Sequence, residues 1–119
     1  MARRLIIVED DASTRRALIR WAKAAGYQAV AFASSQAFLA CEIHTTDACL
    51  VLDLGLPGMT GAALKRKLVG EHRDLPTVFI TALASPETTQ LLRGLEGIPV
   101  LRKPFDAEDL AAAIESAAA

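Results

Sequence analysis

The stretch that decides the fold is CLVLDLGLPGM, residues Cys49–Met59. Its first half is a continuous apolar run, which predicts a strand buried on both faces, and the run ends on an acid, Asp53. The Gly and Pro residues that follow predict a sharp loop. Polar residues end similar apolar runs elsewhere: Glu9, Asp10 and Asp11 follow LIIV, Thr81 follows TVFI, and Lys103 follows IPVLR. We expect these strand ends to meet in one place.

Length and composition limit the kind of protein. The chain has 119 residues, which suits one domain with a core of its own. Hydrophobic residues make up 52% and aromatic residues 5%, a composition that suits helices packed on a sheet. The net charge of −1 gives no electrostatic reason to expect binding to nucleic acid or membranes. No apolar run reaches membrane-spanning or signal-peptide length, so a cytoplasmic location is expected by default.

Short β-capable runs alternate with helical patterns along the whole chain. The predicted strands cover residues 5–8, 28–32, 48–52, 77–80 and 99–102. Helices are predicted at about 13–25, after Ser34, at 61–69, after a capping Ser85 and from Asp106. Five βα units predict an α/β fold with a five-stranded parallel sheet and helices on both faces. If the first strand lies beside the third, the order is the flavodoxin-like 2-1-3-4-5.

The polar residues would then share the carboxyl edge of the sheet, where doubly wound folds hold their working sites. Converging carboxylates of Asp10, Asp11 and Asp53 repel one another unless a cation compensates. Hard oxygen ligands, with a turn carbonyl from Gly55, favour Mg²⁺. A carboxylate beside Mg²⁺ is a plausible nucleophile for phosphoryl transfer. In such a site Lys103 would balance the charge on the phosphoryl oxygens, and the Thr81 hydroxyl would donate to one of them.

Each of these residues also has a purely structural interpretation. Asp10 or Asp11 would serve as a helix cap, Asp53 as a turn residue, Thr81 as an ordinary strand residue, and Lys103 as a solvated lysine before a proline. Any one of them alone is better explained in that way. Four in the right order on one sheet edge favour a functional site.

The segments IIVEDD, VLDLGLPGMTG, FITA and LRKPF together resemble the receiver domain of two-component response regulators. The resemblance extends over residues 1–119. Two further segments, AFASSQAFL and DLPTVFITA, are similar to the FixJ-like branch or to receiver modules attached to hybrid histidine kinases.

The resemblance implies a role for each residue of the site. Asp53 would be the phosphoacceptor, Thr81 the switch hydroxyl and Lys103 the phosphate partner, with a cis peptide bond to Pro104. The Mg²⁺ ligands would be Asp10, Asp11, Asp53 and the Gly55 carbonyl. Such a domain catalyses its own phosphorylation and slow dephosphorylation, and is not a metabolic enzyme.

The same resemblance implies the partners. A sensor histidine kinase or a phosphotransfer protein would supply the phosphoryl group from a phosphohistidine. A downstream protein or output domain would bind the face formed by the fourth helix, fifth strand and fifth helix, and a homodimer through that face is a further expectation.

Two departures from the family pattern predict differences in behaviour. Val100 stands where relatives usually carry Tyr or Phe, so we expect a smaller surface change on activation, or one carried by residues 82–86. Gly55 and Leu83 occupy positions that modulate hydrolysis in the family, and neither side chain is able to hydrogen-bond an attacking water. We therefore expect a persistent phosphoryl group.

Two other functions remain as alternatives. An aspartate-nucleophile phosphatase would need a second acid two residues after Asp53, and that position is Gly55. A degenerate receiver, acting only as an interaction module, would not need the four chemical positions that this chain retains. Whether the chain is a single-domain regulator, an excised receiver or a phosphate shuttle stays open.

Overall fold

The computed structural model describes residues 4–42 and 44–118. In this part of the chain five strands alternate with five helices. The strands are β1 (Arg4–Val8), β2 (Gln28–Phe32), β3 (Ala48–Asp53), β4 (Thr77–Thr81) and β5 (Val100–Arg102). The helices are α1 (Ala12–Ala24), α2 (Ser35–Ala40), α3 (Gly61–Gly70), α4 (Ser85–Leu91) and α5 (Ala107–Ala118). Within the described residues, no helix has the length and apolar character needed to cross a membrane.

The five strands form one parallel sheet in the order β2-β1-β3-β4-β5, which confirms the predicted flavodoxin-like topology. In the register of the two central pairs, Val8 lies opposite Leu52, and Asp53 lies opposite Ile80. The residues that follow these strands therefore emerge at the same level of one sheet edge.

The alternation of side chains along the strands divides the core into two layers. On one face, Ile6, Leu50 and Phe79 pack in a cluster with residues of α2 and α3. On the other face, Ile7 and Val51 pack in a cluster with residues of α1 and α5. All residues of β3 and β4 are buried, which explains why the apolar runs of these strands are continuous.

The prediction that Ser85 caps the fourth helix is wrong. The N-cap of α4 is Ala84, which provides no side-chain cap, and Ser85 is the first helical residue. The Ser85 hydroxyl instead accepts a hydrogen bond of 2.7 Å from Nη1 of Arg102, on β5. The Ser85 side chain is therefore engaged by the adjacent strand, and α4 begins without a side-chain cap.

Gly61 allows α3 to begin directly against the backbone of Asp53. Its N–H donates to the carbonyl oxygen of Leu54 at 3.2 Å. A Cβ at this position would collide with the carbonyl oxygen of Asp53, and would lie 3.0 Å from the carbonyl carbon of Asp53 and 3.0 Å from Cα of Leu54. Since backbone atoms cannot move aside as a flexible side chain does, only glycine permits this approach.

We predict that Gly61→Ala destabilises the fold by about 1–3 kcal/mol, because the methyl group must push α3 away from β3. Gly70→Ala in the same helix is the matched control. A Cβ there meets nothing within 4 Å, so this variant should gain about 0.5–1 kcal/mol from helix propensity. Urea unfolding of the two variants measures both effects. Equal free energies of unfolding for the two variants would contradict the close approach.

Candidate functional site

The carboxyl edge of the sheet brings together polar residues from four strand ends. Asp53 is the last residue of β3 and Thr81 is the last residue of β4. Glu9 directly follows β1 and Lys103 directly follows β5. Because Val8 is paired with Leu52, the next residue on each strand, Glu9 and Asp53, are neighbours across the sheet.

Three carboxylates form a cluster at this edge. Glu9, Asp10 and Asp53 each contribute a carboxylate oxygen, and these oxygens all lie within 4.8 Å of one another. Glu9 and Asp53 are buried, whereas Asp10 is exposed and opens the cluster toward solvent. The cluster is therefore a pocket with two buried acids at its base and one acid at its rim.

Lys103 compensates the charge of the two buried acids. Its Nζ lies 2.5 Å from Oε1 of Glu9 and 3.4 Å from Oδ2 of Asp53. Partial burial lowers the pKa of Lys103, but the hydrogen bond to Glu9 and the charge of Asp53 outweigh this effect, and the pKa is raised overall. Lys103 therefore stays a cation between the carboxylates. Its peptide bond to Pro104 is cis, as the resemblance implied.

The pKa of Glu9 is raised by the surroundings of its side chain. Its pKa is raised from 4.5 to about 7, chiefly by burial and next by the hydrogen bond to Asp53, while the hydrogen bonds from Lys103 and the Asp11 N–H act in the opposite direction. The side chain is fully buried, and its Oε2 accepts the Asp11 N–H at 3.1 Å. The ionised form of Glu9 is thus costly without an additional cation.

Asp11 lies outside this cluster. It is the N-cap of α1, and its Oδ2 accepts hydrogen bonds from the Thr14 N–H at 2.8 Å and the Thr14 hydroxyl at 2.7 Å. These two bonds lower the pKa of Asp11. The sequence prediction had placed Asp11 among the metal ligands. In the structure the Asp11 carboxylate caps α1, and the acidic cluster contains Glu9 instead.

Thr81 and Gly55 lie beside the acids on the neighbouring strand and loop. The Thr81 side chain is fully buried, and its Oγ1 accepts the Leu83 N–H at 2.9 Å. The Gly55 N–H donates to Oδ1 of Asp53 at 3.0 Å. A Cβ at Gly55 would lie 3.4 Å from Cγ of Leu83, so the Leu83 side chain covers this glycine. The loop after β3 and the loop after β4 thus meet next to Asp53.

The donor set suits a divalent cation such as Mg²⁺. All three side chains offer carboxylate oxygens, which are the hard ligands that Mg²⁺ prefers. A cation would also favour the ionised form of Glu9, whose pKa is raised chiefly by burial. Such an acidic triad is typical of the Mg²⁺ site of receiver domains.

Glu9 belongs to the acidic cluster but not to the set of ligands predicted from the sequence. The signal that identifies it is the register: Asp53 ends the run of β3, and Glu9 is the first residue past the run of β1. A count from the end of each apolar run selects Glu9 and Asp10, and leaves Asp11 for the helix cap. Residue type alone does not distinguish the three consecutive acids, and the set of ligands predicted from the sequence contains the later two.

Sequence comparison identifies the family to which the chain is similar. The sequence profile of the response regulator receiver domain matches residues 5–115. Nodulation protein W of Bradyrhizobium diazoefficiens is 33% identical over 114 residues, which cover 95% of this chain and 50% of that protein. The chain thus spans about half of the length of this relative.

Two solved structures share the fold. The response regulator StyR has a TM-score of 0.80 and 35% identity, and the match covers 98% of this chain and 59% of that chain. FixJ-N has a TM-score of 0.83 and 25% identity, and the match covers 98% of this chain and 94% of that chain. The similarity to FixJ-like proteins that the sequence segments indicated is therefore present.

The raised pKa of Glu9 predicts a pH dependence of stability in metal-free buffer. Between about pH 4.5 and 7 the unfolded chain releases the Glu9 proton while the folded protein keeps it. Stability is therefore lost as the pH rises through this window, and the full penalty is present above pH 7.

Glu9→Gln removes this titration. The free energy of unfolding of the variant, taken relative to that of wild type, should therefore be about 1–3 kcal/mol higher at pH 8 than at pH 5. Urea unfolding of both proteins in EDTA at the two pH values measures this gain. Parallel pH profiles for the two proteins would contradict the assignment.

Proposed function

The chain belongs to the response regulator receiver domain family, and from this membership we propose that it is a phosphorylation-dependent signalling switch with Asp53 as the phosphoacceptor. A receiver domain is a phosphoacceptor rather than a metabolic enzyme. The observation that carries the proposal is the position of Asp53 at the end of β3, buried beside Glu9, Asp10 and Lys103. We propose that the receiver domain comprises residues 1–119, beyond the matched residues 5–115.

Glu9, Asp10 and Asp53 would hold Mg²⁺, together with the Gly55 carbonyl that the family resemblance implies. When bound, the ion neutralises the charge of phosphoryl oxygens and of the acids around them. The fit rests on the shared oxygen chemistry of the three side chains and on their separation of at most 4.8 Å. Asp11 is left out of the set, because its carboxylate caps α1.

In the proposed reaction, a carboxylate oxygen of Asp53 attacks the phosphorus atom of a phosphohistidine. The P–N bond breaks, its electron pair stays on the imidazole nitrogen, and an acyl phosphate forms on Asp53. Lys103 already lies 3.4 Å from Oδ2 of Asp53, close enough to pair with the transferred group. The Thr81 hydroxyl accepts the Leu83 N–H, which leaves its own proton available for a phosphoryl oxygen.

The α4 region is suited to carry the response. All seven residues of α4 are exposed or half-buried, and its start has no side-chain cap. The helix is tied to its neighbours by arginines at each end: Arg102 donates to the Ser85 hydroxyl, and Arg66 donates to the Leu91 carbonyl at 2.7 Å. Since position 100 is valine, we propose that movement of Thr81 is transmitted through residues 82–86 rather than through an aromatic ring.

The partners follow from the same proposal. A sensor histidine kinase or a phosphotransfer protein would donate the phosphoryl group, and a downstream protein or an output domain would bind the face of α4, β5 and α5. A homodimer through that face is included in the proposal. The chain spans 50% of nodulation protein W and 55% of the transcriptional regulatory protein FixJ, so the output domain is proposed from the family alone.

Asp53→Ala is expected to abolish phosphorylation by acetyl phosphate with Mg²⁺, because the nucleophilic oxygen is removed. Intact-mass analysis of the protein measures the phosphoprotein formed. Asp106→Ala is the matched control, since Asp106 is an exposed acid that caps α5 and lies outside the pocket; this variant should be phosphorylated like wild type.

Each other outcome identifies a different function. A wild-type protein that takes no label in the presence of Mg²⁺ would be a degenerate receiver. Fast multiple turnover of acetyl phosphate would favour the phosphatase. Labelling of Asp53→Ala at the wild-type level would show another acceptor.

In NMR spectra with beryllofluoride, changes should concentrate at residues 81–86, and large changes centred on Val100 would contradict the proposed route of the response.

The phosphoryl group should persist, because Leu83 covers Gly55 with apolar atoms and neither residue orients a water. Leu83→Ala should shorten the lifetime several-fold by opening access for water. Leu92→Ala, which truncates a half-buried leucine packed on the core, is the control and should leave the lifetime unchanged. The decay of label after removal of acetyl phosphate measures the lifetime. Rapid loss from the wild-type protein would refute persistence.

A further inference from the structure

Arg15 extends from α1 to the turn that carries two acids of the pocket. Its Nη1 donates to the carbonyl oxygen of Glu9 at 2.8 Å and to that of Asp10 at 3.3 Å. We propose that Arg15 is a positioning residue for the cation site: it holds the main chain of Glu9 and Asp10 so that their carboxylates face Asp53. This inference rests on the proposed function, because it concerns the binding of Mg²⁺ by that pocket.

The two carbonyls lie between the hydrogen-bonding networks of the sheet and the helix. β1 ends at Val8, and α1 begins at Ala12 with Asp11 as its N-cap. The carbonyl of Asp11 already accepts the N–H of Arg15 at 2.9 Å, as the first bond of the helix. The carbonyls of Glu9 and Asp10 precede that bond, and the guanidinium supplies charge-assisted donors for both.

Holding these carbonyls determines where the Asp10 side chain points. The Glu9 carbonyl belongs to the peptide plane before Asp10, and the Asp10 carbonyl belongs to the plane after it. When both planes are held, φ and ψ of Asp10 are restricted, and the direction of its Cα–Cβ bond is set. Asp10 is exposed, so packing does not orient its carboxylate. The main chain must do so, and Arg15 is half-buried against it.

The charge of Arg15 predicts the opposite effect on cation binding from its hydrogen bonds. A positive charge near the pocket repels a cation, so its removal should tighten Mg²⁺ binding by about twofold at ordinary ionic strength. Loss of an outer contact that orients ligands instead weakens metal binding, commonly by tenfold or more. The sign of the change in the dissociation constant therefore separates the two roles.

The test compares Arg15→Met with Arg16→Met in the full chain. Arg16 is the exposed neighbour on the same helix, and its replacement removes the same charge. Calorimetric titration with MgCl₂ should show binding weakened by about tenfold for Arg15→Met. Binding by Arg16→Met should be unchanged or slightly tighter. Arg15→Lys, which restores a cationic donor, should lie closer to wild type than Arg15→Met does.

A second measurement needs no metal. In EDTA, Arg15→Met should accelerate hydrogen exchange of the Asp11 amide, which donates to Oε2 of Glu9 in the wild-type protein. The amide of Val51, in the centre of β3, reports global opening and should exchange at the wild-type rate. Faster exchange at Asp11 alone therefore indicates a local loss of order in the turn rather than a loss of stability.

The outcomes separate this inference from the proposed function. If wild type binds Mg²⁺, and Arg15→Met binds it as tightly as Arg16→Met, the positioning role is wrong and the cation site remains. Unchanged exchange at the Asp11 amide would also overturn the positioning role. If wild type does not bind Mg²⁺, the proposed function fails, and this inference fails with it.

Discussion

The parallel register of β1, β3 and β4 is the constraint on which the site depends. With Val8 opposite Leu52, the chain of β1 must leave the sheet at the same level as that of β3, so Glu9 and Asp53 emerge side by side. A shift of one residue in this register would exchange the two faces of a strand that is buried on both sides. The core and the site are therefore set by the same pairing, and neither is free to vary without the other.

This placement has an electrostatic cost that the fold balances with one lysine. Burial, together with the neighbouring Asp53, raises the pKa of Glu9 to about 7, and the hydrogen bond from Lys103 offsets only part of this effect. The part of this electrostatic cost that Lys103 does not offset favours the binding of a divalent cation. A bound cation would in turn favour a phosphoryl group. The same burial that penalises ionised Glu9 keeps Asp53 largely away from solvent, where a reactive acyl phosphate would be hydrolysed.

The surroundings of the pocket come from close contacts between elements rather than from local rules. α3 reaches the backbone of Asp53 only because Gly61 has no side chain. Arg102 from β5 donates to the Ser85 hydroxyl at the start of α4, which has no side-chain cap. Leu83, from the loop after β4, covers Gly55 in the loop after β3. Each of these contacts joins segments that are distant in the chain, and each lies next to the proposed acceptor or to the helix that would respond to it.

By itself, the sequence determined the number and order of the strands and helices and the edge at which Asp53, Thr81 and Lys103 lie, and it limited the sheet to a few topologies. Continuous apolar runs that end on polar residues carry that information, because burial on both faces leaves few arrangements. Only the tertiary structure decided which of three consecutive acids enter the pocket. That choice depends on where β1 stops pairing and where α1 begins: Asp11 caps the helix, Glu9 turns inward beside Lys103, and Arg15 closes the turn between them.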